Sequence, residues 1–248
     1  MKKRLWRDFL ILLVLFLGAW IFFTYYPVVD SEQVKITFND KEKEIKEKLI
    51  ELFDYKQADS DTTQILRALG ELKHLLSEKD LEYELFFSDS KEINAYALPG
   101  NMIVINRGII MECDTPEELI GVIAHEIGHL KMKHHTDQLL ATLGLELLLA
   151  GSSSTAGEVS KILTQSAFSR EMETEADDFA IKKMKELNIS PNYLAKLFKK
   201  MYKKTEYIPE FLNSHPGINN RISKFSSYPF EESSLEFTFD WLKVKNSL

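Results

Sequence analysis

With one cysteine, Cys113, in 248 residues, the chain has no partner for an intrachain disulfide and no thiolate set for a metal. That residue reads as a small buried hydrophobe and leaves the redox compartment open. An excess of positive charge is also missing: 31 Lys+Arg stand against 38 Asp+Glu, a net charge of -7. No basic patch interleaves with aromatics, which argues against nucleic acid as a partner. No segment repeats at a fixed spacing, and the Ser152–Ser154 run is too short to act as a linker between domains. The length suits one domain of catalytic size with its own core.

Long apolar runs are scarce, with an exception at the start. Lys2, Lys3, Arg4 and Arg7 precede an uncharged stretch from Phe9 to Phe23, extended by Thr24, Tyr25 and Tyr26. At about 1.5 Å rise per residue this stretch spans roughly 27 Å, near the hydrocarbon thickness, with Trp20, Tyr25 and Tyr26 suited to the far interface. It is expected to be a single membrane anchor over residues 1–29, with the cations cytoplasmic and the rest of the chain on the periplasmic or extracytoplasmic side. The alternative is a signal peptide, cleaved to release a secreted protein. No cysteine follows the run, so a bacterial lipoprotein anchor has no acceptor. A body over 30–230 and a tail over 231–248 complete the expected organisation.

In the body, Ile45, Leu49, Leu52 and Phe53 recur among Lys and Glu, an amphipathic helix over 38–53. Ile65, Leu66, Leu69, Leu72 and Leu76 make a second over 62–76. A short strand is expected over 81–87, and Ile93–Leu98, Pro99-Gly100 and Met102–Ile105 read as a hairpin. Thr115-Pro116-Glu117-Glu118 starts a helix on three counts: an N-cap Thr, Pro at the first helical position, and Glu three past the cap. Leu139–Ala150 is apolar but short and holds Glu146, so a buried or interface-dipping helix is expected rather than a second span. Thr155 to Glu158 opens a helical stretch to about Leu187, irregular near Ser169, and Ser190-Pro191 opens another. The fold class is therefore α+β, predominantly helical, with a small sheet.

Chemistry concentrates on His125-Glu126-Ile127-Gly128-His129. Histidines four apart share a helix face, so both imidazoles can reach one ion at Zn–N near 2.0–2.1 Å. Glu126 is turned about 100° away, out of the ligand set but within reach of a water, where a general base belongs. Alone, H-E-x-x-H arises by chance in roughly one chain in seventy of this composition. Its place in a well-capped helix, with Gly121, Ala124 and Gly128 leaving room, makes a site the stronger reading. A third ligand must come from another helix, and Ser169–Asp177 offers Glu171, Glu173, Glu175 and Asp177. Glu173 and Asp177 share a face, so one could ligate and the other hold a histidine; spacing alone does not decide among the glutamates.

These motifs, with His134, Ser169-Arg170, Glu173-x-x-Ala176-Asp177, Ser214-His215-Pro216, Arg221-Ile222 and Asn94–Gly100, resemble the HtpX and BepA family of membrane-associated zinc metallopeptidases. That family also includes the CAAX prenyl endopeptidases. The resemblance covers roughly residues 40–225. It implies a zincin-type domain over 30–230, one zinc per chain held by His125, His129 and Glu173, and Glu126 as base. It further implies Asp177 orienting a ligand histidine, His215 acting on substrate or oxyanion, and Arg221 in the cleft; His134 matches without a chemical role. Gly100, Met102, Ile103 and Val104 are expected to bind polypeptide as an added strand along an exposed edge. The prenyl endopeptidases have several spans, whereas this chain has one terminal segment, which argues against CAAX processing. The implied function is cleavage of unfolded or misassembled membrane or envelope proteins in quality control. The alternative is a membrane-tethered chaperone or assembly factor with a structural zinc. His74 and His135 are expected at the surface, and nothing in the sequence sets the oligomeric state.

Overall fold

The computed structural model describes residue 43 and residues 46–51, 53–58, 63–135, 167–203 and 209–248. The expected anchor, the apolar 139–150 stretch and the Thr155 capping box lie outside the described residues. Among the described residues, no helix is long and apolar enough to cross a membrane. The chain from Glu42 onward forms one compact unit.

In chain order its elements are β1 (Lys56–Gln57), α1 (Gln64–Leu75), β2 (Glu84–Ser88), β3 (Ala95–Leu98), β4 (Met102–Asn106) and α2 (Arg107–Glu112). There follow α3 (Pro116–Lys131), α4 (Arg170–Glu186), α5 (Asn192–Lys203), α6 (Glu210–Ser214), α7 (Ile218–Ser226) and α8 (Trp241–Asn246). Residues 46–51 are helical as well. The result is a helix-rich α+β domain with a small open sheet. Two helix starts carry side-chain caps of the expected residue type: Thr63 Oγ1 accepts from Leu66 N at the start of α1. Ser169, at the expected irregularity, begins α4 by accepting from Met172 N. At α3 the N-cap is Thr115, yet its hydroxyl caps nothing; Glu118 Oε2 instead accepts from Asp114 N at 2.7 Å.

The sheet order is β1-β2-β4-β3, with β2 and β4 parallel and the other pairs antiparallel. The expected hairpin forms, turning through Gly100 (φ 77°) and Asn101 (φ 55°), two left-handed residues that a tight reversal needs. Its order in the sheet corrects the expectation. Met102, Ile103 and Val104 lie in β4, which is paired on both sides and wholly buried, so they offer no edge to a peptide. An uninterrupted apolar run is what a strand covered on both faces requires. Ile103 and Ile105 point into the main core with Leu85, Phe87, Ala95 and Ala97, while Met102 and Val104 point the other way, onto Leu49, Tyr55, Phe86 and Leu98.

The sheet edge beside α3 is β3. Its inward residues Ala95 and Ala97 are small, which brings its backbone within hydrogen-bond reach of the helix. Helix α3 is buried from Pro116 through Leu130; an element apolar nearly all round is a core element. It crosses α4 where Gly128 faces Ala176, and that crossing brings the two motif helices together. Beyond α7 the chain straps back over the domain, with Trp241 Nε1 donating to Cys113 O and Arg107 Nη1 to Leu248 O.

Candidate metal centre

The α3–α4 crossing sets His125 and His129 against Glu173 and Asp177, and α6 ends by delivering His215. One ligand atom from each of His125, His129, Glu173 and His215 lies within 4.8 Å of the others, and all four residues are buried. His125 Nε2 is 3.0 Å from His129 Nε2, 3.1 Å from His215 Nδ1 and 3.6 Å from Glu173 Oε2. Glu173 Oε1 is 3.3 Å from His129 Nε2 and 3.0 Å from His215 Nδ1. A tetrahedron with bonds of 2.0–2.1 Å has edges of about 3.3–3.4 Å; these separations, drawn from both Glu173 oxygens, lie around that value between 3.0 and 3.6 Å.

Protonation agrees. Burial, reinforced by the nearby Arg221 charge, pushes His125 down to about 4, and burial pushes His129 well below its ordinary value, so both rings are neutral ligands at neutral pH. For Glu173, burial works upward, but the charges of His215 and Arg221 outweigh it and keep the group ionised. Glu173 Oε2 is buried and its close partner is the Arg221 guanidinium, with Nη1 at 2.8 Å. With Nδ1 of His125 protonated toward Asp177, the Nε2 atoms of two neutral imidazoles 3.0 Å apart place lone pairs against each other, an arrangement that a cation between them relieves. The residues fit a divalent metal, and the nitrogen-rich donor set suits zinc.

Glu126 stands beside this set. Ala97 N–H, on the outer edge of β3, donates to its Oε2 at 2.9 Å. Oε1 has no hydrogen-bond partner among the described residues and lies 3.6 Å from His215 Nε2. Burial, opposed by the His215 charge, pushes the Glu126 carboxyl up to about 7, within the range where a carboxyl exchanges protons at neutral pH. His215 moves the opposite way to a buried histidine: Glu173 and Glu126 outweigh its burial and raise it.

A second layer holds the ligands. Asp177 Oδ1 is 3.0 Å from His125 Nδ1, which assigns the ring proton to Nδ1 and frees Nε2 for a metal. Arg221 grips Asp177 as a fork, Nε to Oδ2 at 2.9 Å and Nη2 to Oδ1 at 2.7 Å, and its Nη1 lies 2.8 Å from Glu173 Oε2. Asp177 is held down at about 2, because the Arg221 charge and the His125 contact outweigh burial. The structure therefore places Arg221 beneath the ligands, 4 % exposed, and not in a cleft facing substrate. His134 Nδ1 is 3.0 Å from His129 Nδ1, and its Nε2 is 2.9 Å from Glu175 Oε2. Of the glutamates left open by spacing, Glu175 thus meets His134, and Glu171 is exposed. His74 is exposed as expected, but His135 is buried. Phe168, unremarked in the sequence, stacks on His129 at 3.9 Å; no local pattern marks it.

The model of Peptidase family M48 matches residues 59–228, which contain the His125, His129, Glu173 and His215 cluster, Glu126 and the β3–β4 hairpin. The chain belongs to peptidase family M48. Family membership and the geometry agree on a zinc-type metal centre. The chain is similar to the mitochondrial metalloendopeptidase OMA1 of Schizosaccharomyces pombe, 28% identical over 177 residues, covering 67% of this chain and 52% of that protein. It is similar to the metalloprotease LoiP of Escherichia coli, 28% identical over 171 residues, 64% of this chain and 66% of that one. It also resembles the beta-barrel assembly-enhancing protease of Escherichia coli, 26% identical over 184 residues, 65% of this chain and 37% of that one. The match to each of these M48 relatives thus spans under two thirds of the relative's own length.

Proposed function

We propose that this chain is a zinc-dependent endopeptidase acting on unfolded or misassembled envelope or membrane proteins. The observation that carries the reading is the state of Glu126. One oxygen is fixed by Ala97 N–H, and the other faces the ligand set without a partner among the described residues. A purely structural site has no use for such a group.

His125, His129 and Glu173 would hold the metal. When bound, zinc supplies Lewis acidity toward water and a carbonyl oxygen. Glu126 takes a proton from the attacking water as its oxygen adds to the scissile carbonyl carbon. The C–N bond then breaks, and Glu126 hands that proton to the leaving amine. His215, with Nε2 on the Glu126 side, donates to the developing oxyanion. Asp177 keeps His125 in the ligating tautomer, and Arg221 serves it from below. The substrate lies as an added strand along β3 and the Gly100 turn, beside the base, so main-chain hydrogen bonds give affinity without sequence preference. The apolar Phe9–Tyr26 segment tethers the domain to a membrane, on the extracytoplasmic side according to the cations that precede it. The choice of misassembled proteins as substrates draws on the name of one relative, a beta-barrel assembly-enhancing protease.

One observation favours the alternative, a chaperone or assembly factor with a structural zinc: His215 supplies a fourth ligand atom, and structural sites are closed. Cleavage of casein by the purified protein, with and without chelator, separates the two. The peptidase reading expects chelator-sensitive cleavage and a Glu126→Gln variant that keeps one zinc per chain while losing about 10²–10⁴-fold in rate. Undiminished proteolysis by pure Glu126→Gln protein refutes it, and zinc without any cleavage favours the alternative.

A further inference from the structure

The ring of His129 must present a lone pair at Nε2 to ligate, so its proton must sit on Nδ1. Such a proton needs an acceptor, and for a zinc-bound histidine that is usually a carboxylate, a carbonyl or a water. For His125 the acceptor is Asp177. For His129 the group that meets Nδ1 is another imidazole, with His134 Nδ1 at 3.0 Å. Two ring nitrogens at that distance bond only if one carries the proton and the other does not. If His129 Nδ1–H donates, His134 Nδ1 accepts, and the His134 proton must be on Nε2. That nitrogen lies 2.9 Å from Glu175 Oε2, an acceptor. The roles close without a conflict: Glu175 carboxylate, His134 Nε2–H, His134 Nδ1, His129 Nδ1–H, His129 Nε2.

We propose that His134, set by Glu175, is the positioning residue that fixes the tautomer and ring direction of His129 in the metal centre. The relay crosses between helices: His134 follows α3 and is buried, whereas Glu175 sits on the exposed face of α4. It thereby ties the end of the His125–His129 helix to the helix that carries Glu173. Phe168 stacks on the face of His129 and restrains its plane, but a ring face cannot distinguish the two nitrogens. The contact at Nδ1 is the one that does. The role requires no change in protonation; a neutral His134 suffices, with its proton held on the Glu175 side.

This inference rests on the metal-centre reading, so wild-type zinc affinity is measured first, by competition with a chelator of known strength. Then come His134→Leu, which removes the acceptor, His134→Asn, whose Oδ1 can stand where Nδ1 stood, and Glu175→Ala, an exposed change that leaves the core intact. Loss of an outer partner costs about 10–100-fold in metal affinity. That loss is expected for His134→Leu, with a smaller one for Glu175→Ala and recovery to within about threefold of wild type for His134→Asn. The Co(II) absorption spectrum should shift in His134→Leu and return in His134→Asn, and metal-free thermal unfolding reports whether each variant folds. Should His134→Leu fail to fold, Glu175→Ala and His134→Asn still decide. Wild-type affinity and spectrum in both His134→Leu and Glu175→Ala overturn the proposal, as does a His134→Asn no better than His134→Leu. A wild type that binds no zinc overturns the metal-centre reading itself.

Discussion

Gly128 sits between the two ligand histidines and the helix that carries Glu173, and adding one methyl group there tests whether that crossing sets the site. A Cβ on Gly128 would meet Ala176 Cα at 2.9 Å, Ala176 O at 3.1 Å and Ala176 Cβ at 3.3 Å. Ordinary contact begins at 3.4 Å, so the nearest atom must retreat by 3.4 − 2.9 = 0.5 Å. The obstacle is backbone and cannot rotate away; α3 and α4 must separate. Ligand distances at a metal tolerate about 0.2 Å, so a shift of that size cannot leave both histidines and Glu173 on one ion. Overpacking costs about 1–3 kcal/mol, against about 1 kcal/mol returned by the better helix propensity of Ala. Gly128→Ala should therefore lose up to about 2 kcal/mol of stability, a fall of roughly 4–8 °C in Tm, and weaken zinc binding at least about tenfold. Gly121→Ala is the milder control on the same helix: its Cβ meets Leu194 Cβ, Leu194 Cδ1 and Met184 Sδ at 3.3 Å, so the neighbours need give only about a tenth of an ångström. Calorimetry with and without chelator, paired with zinc competition, reads both quantities. Wild-type affinity and melting in Gly128→Ala would refute the view that this crossing sets the ligand geometry.

In the zinc-free protein, Asp177 titrates at about 2 against an ordinary 3.8. A depressed carboxyl stabilises the fold fully above about pH 4 and loses that contribution as pH falls through about 2. The amount is about 2 kcal/mol. Urea unfolding of wild type and Asp177→Asn between pH 5 and 2 should show curves that converge on acidification, and parallel curves contradict the assignment. Cys113 is buried and its thiol is raised well above the ordinary value by that burial, with Glu118 adding to it. Ellman's reagent should therefore find one thiol per chain only in denaturant; rapid reaction of the native protein would mean that the strap over Cys113 is open in solution.

How much of this was legible depends on the range over which each feature is decided. Histidines four apart, the Thr-Pro-Glu-Glu start of α3, the break near Ser169 and the Pro99-Gly100 turn of the hairpin are local, and backbone geometry over a few residues dictates them. So are the alternating faces of β4, where Ile103 and Ile105 diverge from Met102 and Val104. A hairpin says that two strands are neighbours but not which lies inside. That is why β4 looked like an edge until its parallel pairing with β2 placed it in the interior. The continuous apolar run Met102–Ile105, beside the small residues of β3, carried the signal for the correct order. Arg221, expected in the cleft from the resemblance, has no local signal for its actual place, and only Asp177, 44 residues away, makes it a buried clamp. Likewise His134 is a histidine without a task until α4 brings Glu175 to one of its nitrogens and His129 lies at the other.

The sequence by itself therefore determined the long helices α1, α3 and α5, which residue types could ligate and which glutamate could act as base, because period, caps and spacing act within one element; the short helices α2, α6, α7 and α8 carried no such signal. Which strand is the edge, which glutamate faces the two histidines, and which groups meet Nδ1 of His125 and His129 were decided only by the tertiary structure. Those choices depend on how closely α3 can approach α4 and β3, a distance set by the missing side chain at Gly128 and the small ones at Ala95, Ala97 and Ala176.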